Sequence, residues 1–160
     1  MSIQTGIALI KREMTELERN ISICLKRRKR WSEFIQLQAK DIIADSIGAC
    51  LHSAYSGIEK IFKIIAKEVD HHLPDGQRWL RELLELMNSD VPGIRQAVIS
   101  QETFNYIEEL MLFRHAFRNL YVHSIVPKKI IDLCDHLNRV WPRFQSEINQ
   151  FISFLEALHE

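Results

Sequence analysis

From Ile3 onward, apolar side chains return at steps of three or four residues: Ile7, Ile10, Met14, Leu17, Ile21 and Leu25. An α-helix turns once in 3.6 residues, so this spacing lines one helical face, and it predicts a helix continuing toward Trp31 and Phe34. The same period recurs in Ile43, Ile47, Leu51, Tyr55, Ile58, Phe62, Ile65 and Val69, predicting a second long helix from about Gln38 to Val69. It recurs again in Ile131, Cys134, Leu137, Trp141, Phe144, Ile148, Phe151 and Leu155, predicting a helix from about Lys128 to Leu158. No stretch alternates apolar and polar residues for long enough to make a strand, and five glycines and four prolines leave few breaks in 160 residues. The predicted fold class is all-α, a helical bundle of four long helices plus one or two short ones, forming a single domain over residues 1–160.

The breaks divide the chain. His71-His72-Leu73-Pro74-Asp75-Gly76 has loop composition. Arg78 to Met87 is a short amphipathic segment that Asn88-Ser89-Asp90-Val91-Pro92-Gly93 ends, and Ser100 stands where an N-cap opens the next helix. That helix carries Phe104, Ile107, Met111, Phe117 and Leu120, with Pro127 as its limit. Pro142 is expected to kink or break the last helix. Gly57, inside the second helix, is expected to mark the close approach of another backbone.

Lys plus Arg number 21 and Asp plus Glu 21, which excludes the strong basic excess of a protein gripping nucleic acid over a long surface and leaves room for a local patch. The basic run Lys26 to Arg30 reads as a solvated helix face near a negative C-terminal dipole. Cys24, Cys50 and Cys134 are widely spaced among apolar neighbours, as reduced core thiols of a cytosolic protein are. Met-Ser-Ile-Gln-Thr-Gly has no signal-peptide character and no apolar run is long enough to span a bilayer, so a cytoplasmic protein without membrane contact is expected. His71 and His72 have no cysteine or carboxylate cluster to complete a ligand set, and no metal or cofactor is expected.

Chemically able side chains cluster in Phe113-Arg114-His115-Ala116-Phe117-Arg118-Asn119-Leu120-Tyr121-Val122-His123. No acidic residue falls between Glu109 and Asp132, while Arg114, Arg118, Lys128 and Lys129 all do, so a neutral chain carries a cationic window beside two histidines. On a continuous helix Arg118 and His123 stand about 140° apart with about 7.5 Å of rise. Either the helix loosens before His123, or a second copy supplies facing groups across a two-fold axis. A histidine can take the proton of a ribose 2'-hydroxyl or return one to a leaving 5'-oxygen, and a guanidinium can hold the phosphate, so the pair suffices for metal-free RNA cleavage. The bland alternative pairs Arg118 with a carboxylate or a helix-end carbonyl and makes His123 a helix cap.

Arg118-Asn119, three residues, then His123 resembles the signature of the HEPN superfamily, an arginine, a polar residue and a histidine closing the span. The longer match runs through Leu51-His52-Ser53-Ala54-Tyr55-Ser56-Gly57-Ile58-Glu59-Lys60-Ile61-Phe62, Leu73-Pro74-Asp75-Gly76, Arg81-Glu82-Leu83-Leu84, Val98-Ile99-Ser100-Gln101-Glu102-Thr103 and Phe113-Arg114-His115. It resembles the HepT-like ribonuclease toxins of cyanobacterial type. The resemblance implies a HEPN-type bundle, a homodimer with its groove at the two-fold interface, metal-independent endoribonuclease activity and a minimal nucleotidyltransferase antitoxin as partner. It places the catalytic roles on Arg118 and His123 and the adjoining polar role on Asn119, with Arg114 and His115 as further substrate-binding candidates. Many such toxins carry a tyrosine two residues after the histidine, to which the antitoxin attaches AMP. Here that position is Ile125, and Tyr121 is the nearest phenol and the regulatory candidate, which leaves adenylylation and steric blocking both open. A non-catalytic partner module that binds a nucleotidyltransferase or a nucleotide is the competing reading, motivated by the zero net charge.

Overall fold

In the computed structural model, which describes residues 2–120 and 125–159, the periodic apolar stretches are helices. They are α1 (Ile3–Lys29), α2 (Trp31–Gln36), α3 (Lys40–Glu68), α4 (Trp79–Met87), α5 (Gln101–Asn119) and α6 (Pro127–Ala157). Four are long and two short, the all-α bundle that the spacing predicts. Helix α3 lies at the centre: α1 packs along it, and α2, α4, α5 and α6 all touch it. That position explains its composition, since Ile47, Leu51, Ala54, Ile61 and Ile65 are fully enclosed and a helix contacted on several sides needs a wide apolar stripe.

Local chemistry accounts for most of the boundaries. Ser2 Oγ accepts from the Thr5 amide and Ser100 Oγ from the Thr103 amide, so two hydroxyls satisfy otherwise orphaned donors at helix starts. Gly93, with φ of 77°, makes the turn that lets Val91 and Arg95 pair as an isolated bridge between α4 and α5.

Four expectations need correction. The first helix does not run on to Phe34: it stops at Lys29, Arg30 closes a tighter turn on the Arg27 carbonyl, and α2 starts afresh. Five successive cations repel at helical spacing, which weakens that turn. The basic run is not simply a solvated face, because Arg28 forms a two-pronged pair with Asp135 and Arg27 reaches Cys50. Gly57 faces the Leu17 side chain rather than another backbone; a Cβ there would lie 3.2 Å from Leu17 Cδ1. Pro142 does not break α6, which runs through it. The carbonyl freed by its missing N–H belongs to Asn138, which is exposed, so water can satisfy it.

One buried ion pair ties the connections together. Arg95 donates from Nε and Nη2 to the two Asp70 oxygens at 2.7 and 2.6 Å. Its remaining donors reach the carbonyls of Ser89, Gln96 and Leu86. All five guanidinium donors are used, which makes a charge with 0% side-chain exposure tolerable. Among the described residues, no helix is long and apolar enough to cross a membrane.

Candidate functional site

The cationic stretch sits at the C-terminal end of α5, and its aromatic residues fix it to the core. Phe113 is buried, Phe117 is half-buried, and their rings lie 5.6 Å apart. Both press on Gly48 of α3, where an added Cβ would stand 3.0 Å from Phe117 Cε2 and 3.6 Å from Phe113 Cζ. The missing side chain at Gly48 therefore sets how closely the end of α5 approaches α3.

Helix α5 stops at Asn119, and Leu120 is extended with φ of −105° and ψ of 155°. The continuous helix up to Pro127 is not formed; Pro127 instead opens α6 at a position where a proline's missing N–H costs nothing. At this end the Asn119 side-chain amide donates to the His115 carbonyl at 2.8 Å, sharing the acceptor that helical spacing gives to its own backbone N–H, and the Leu120 N–H closes on the Ala116 carbonyl. The same amide lies 3.3 Å from His115 Nδ1. Because the helix ends here, the separation of about 140° derived for a continuous helix does not carry through to His123.

Arg118, His115 and Asn119 are exposed, on the last turn of α5, and none of the ion pairs among the described residues uses Arg118. Arg114 is half-buried instead. Its guanidinium carbon lies 5.5 Å from the Tyr55 ring centre, and its Nε is enclosed without a hydrogen-bond partner in the protein. Ile125 packs against the core. Tyr121 and His123 lie outside the described residues.

The structure adds a residue to which the sequence reading assigned no role. His52, on α3, faces this end of α5: its ring lies 5.8 Å from that of Phe117, and its Nε2 is enclosed without a partner in the protein. Burial, and then the charges of Arg114 and Arg118, lower its pKa from the ordinary 6.5, with Glu59 acting in the opposite sense. Tyr55 and Glu59 continue the same face of α3 at helical spacing. Burial and the Glu59 charge raise the Tyr55 pKa, so it remains a neutral phenol. Glu59 accepts from Lys63 at 2.7 Å through one oxygen while its other oxygen has no partner in the protein. The polar spacing His52, Tyr55, Glu59 was visible in the sequence; that it meets Arg114 and Arg118 depends on how α3 and α5 pack.

A pH dependence follows for His52. The folded state disfavours its imidazolium, so below the unfolded value near 6.5 the unfolded chain takes up the proton first. Its contribution to stability is complete above that pH and is lost as pH falls toward the lower folded value. The urea midpoint is expected to drop between pH 7 and pH 5 and to drop less in His52→Gln. An equal drop in both proteins places the acid sensitivity elsewhere.

A groove of about 900 Å³ runs between residues 90–100 and Glu147, Gln150, Phe151 and Phe154 of α6, and none of the α5 residues above lines it. In comparisons with known proteins, a family model described as HepT-like protein matches residues 46–155. Searches of curated proteins and of solved structures return no match.

Proposed function

We propose, for a chain that belongs to the HepT-like family, that it is the metal-independent endoribonuclease toxin of a HEPN and minimal nucleotidyltransferase pair. The match covers more than two thirds of the chain and includes every residue from Arg114 to His123. The observation that carries the reading furthest is the exposed end of α5, where Arg118 and Asn119 stand on a helix that stops before the histidine of the motif.

In this reading Arg118 binds the scissile phosphate with two parallel N–H donors and stabilises the charge that grows on its oxygens. His123 takes the proton of the 2'-hydroxyl or returns one to the departing 5'-oxygen. The 2'-oxygen forms a bond to phosphorus, the bond to the 5'-oxygen breaks, and the products are a 2',3'-cyclic phosphate and a 5'-hydroxyl. Asn119, Arg114 and His115 bind the substrate backbone, and neutral His52 lies on the facing wall. Two copies related by a two-fold axis bring both motifs to one groove, a homodimer with a composite site. The partner is the nucleotidyltransferase antitoxin; with Ile125 packed at the core where the modified tyrosine is found in many such toxins, steric blocking or modification of Tyr121 replaces AMP transfer to that position.

The test is an RNA digest by the purified protein in excess EDTA. Wild type is expected to cut, and Arg118→Ala and His123→Ala to lose cutting while keeping their helical circular dichroism. Unchanged cleavage by both variants contradicts the assignment. No cleavage by wild type, with tight binding of the nucleotidyltransferase, supports the non-catalytic module that the zero net charge favours.

A further inference from the structure

The C-terminal end of α1 and the start of α6 lie at the same end of the bundle as Arg118. Arg28 of α1 pairs with Asp135 of α6, and a Cβ on Gly48 of α3 would meet Phe117 of α5 and Ile130 of α6 together. Charge is divided between the two ends although it sums to zero. Residues 22–54 and 109–140, which build this end, hold 11 Lys and Arg against 6 Asp and Glu, and the rest of the chain holds 10 against 15. The half with Arg118 is therefore positive by 5 and the opposite half negative by the same amount.

Within the positive half, Lys26 and Lys29 are exposed one turn apart on α1, and Lys129 is exposed on the first turn of α6. None of these three takes part in an ion pair among the described residues, whereas Arg28, Arg30 and Lys128 have carboxylate partners. A helix C-terminus carries about half an elementary negative charge, which does not balance Lys26, Arg27 and Lys29 together. Trp31 and Phe34 follow the basic run and are half-buried, so part of each ring meets solvent.

We propose, resting on the ribonuclease reading above, that Lys26, Lys29 and Lys129 form a phosphate track that leads single-stranded RNA from the end of α1 across the start of α6 to Arg118. Helix α6 packs on both α1 and α5. Packed helix axes lie about 8–10 Å apart, so two such steps bring the track to Arg118 within about 20 Å. Ammonium groups on flexible stems hold phosphates as point charges and read no bases, so the track supplies affinity without sequence preference. The Trp31 and Phe34 rings offer faces on which bases stack, and cations beside stacking rings suit a nucleic acid better than an acidic polypeptide. A dinucleotide has only the phosphate that is cut, so it has nothing to place on the track.

The test measures, by fluorescence anisotropy at several salt concentrations, the binding of a single strand of about 20 nucleotides whose 2'-O-methyl riboses cannot attack the phosphate. Lys26→Gln, Lys29→Gln and Lys129→Gln together, checked for fold by circular dichroism, are expected to weaken binding about tenfold or more and to flatten log Kd against log salt by about 0.7 per lysine. Arg12→Gln, Lys67→Gln and Arg78→Gln together remove the same charge from exposed positions in the opposite half. Screening over that distance is expected to keep their effect below about twofold. With unmodified RNA, the ratio of kcat/KM for the long strand to that for a dinucleotide is expected to fall about tenfold in the track variant. An equal loss of binding in both triple variants overturns the proposal, because net charge alone then explains it. So does polyglutamate that displaces the strand as well as unlabelled RNA of equal charge, which assigns the surface to an acidic protein. Wild type that binds the strand through these lysines yet cuts no RNA contradicts the ribonuclease reading and supports the track. Wild type that cuts RNA but binds the long strand no more tightly than the track variant keeps that reading and overturns the track.

Discussion

Arg118→Ala is expected to lower RNA cleavage about a hundred- to thousandfold, the cost of removing a donor aimed at developing charge. It is also expected to leave the unfolding free energy within about 0.5 kcal/mol of wild type, because exposed residues outside special features contribute little. Both halves come from where the side chain sits. Arg118 is exposed on the last turn of α5 and takes part in none of the ion pairs among the described residues, whereas Phe113 and Phe117 hold that turn against Gly48. Arg118→Lys keeps the charge and loses the planar fork, so it is expected to recover only part of the rate. A loss of cleavage accompanied by an equal loss of helical signal assigns Arg118 to structure instead. The same change at Arg114 is expected to disturb both properties, since its guanidinium packs on the buried Tyr55 ring.

The largest effect on stability is expected at the Arg95–Asp70 pair. Arg95→Ala leaves the Asp70 carboxylate buried with its charge uncompensated and strips donors from the carbonyls of Leu86, Ser89 and Gln96. Breaking such a pair from one side costs about 3–5 kcal/mol, a large part of the roughly 5–15 kcal/mol that holds a domain together. Asp70→Ala is expected to cost a similar amount, and the double variant less than the sum, because the second change removes the stranded charge. Urea denaturation of the four proteins measures the coupling; strict additivity contradicts it. From His52 to the end of α3 at Glu68 is about 24 Å of helix, and Asp70 lies two residues beyond it. RNA cleavage at low temperature is therefore expected to survive in Arg95→Ala, and its loss there in a folded protein joins the two regions in a way the packing does not show.

The local features of this chain were legible because they rest on local physics. Apolar spacing marks α1, α3 and α6, Ser100 caps α5 as its hydroxyl allows, and Phe113 and Phe117 are packing residues. What depends on helices meeting was not legible. Cys24 and Cys134 look like separate core residues in the sequence, and their contact needs α1 and α6 in place. His52 is one polar residue on a mainly apolar helix until the end of α5 lies against it. Arg95 and Asp70 carry no local sign that they are partners. The stop at Asn119 lies between the two cases: an asparagine can bond back to its own helix, yet Pro127 offers a stronger boundary signal eight residues later.

End-group analysis of the cut RNA tests the central claim most directly, using wild type in excess EDTA beside His123→Ala. Attack by the 2'-oxygen predicts 5'-hydroxyl ends paired with 2',3'-cyclic phosphates from wild type, and uncut RNA from the variant. Fragments bearing 5'-phosphates, or cyclic phosphates formed equally well by His123→Ala, contradict it.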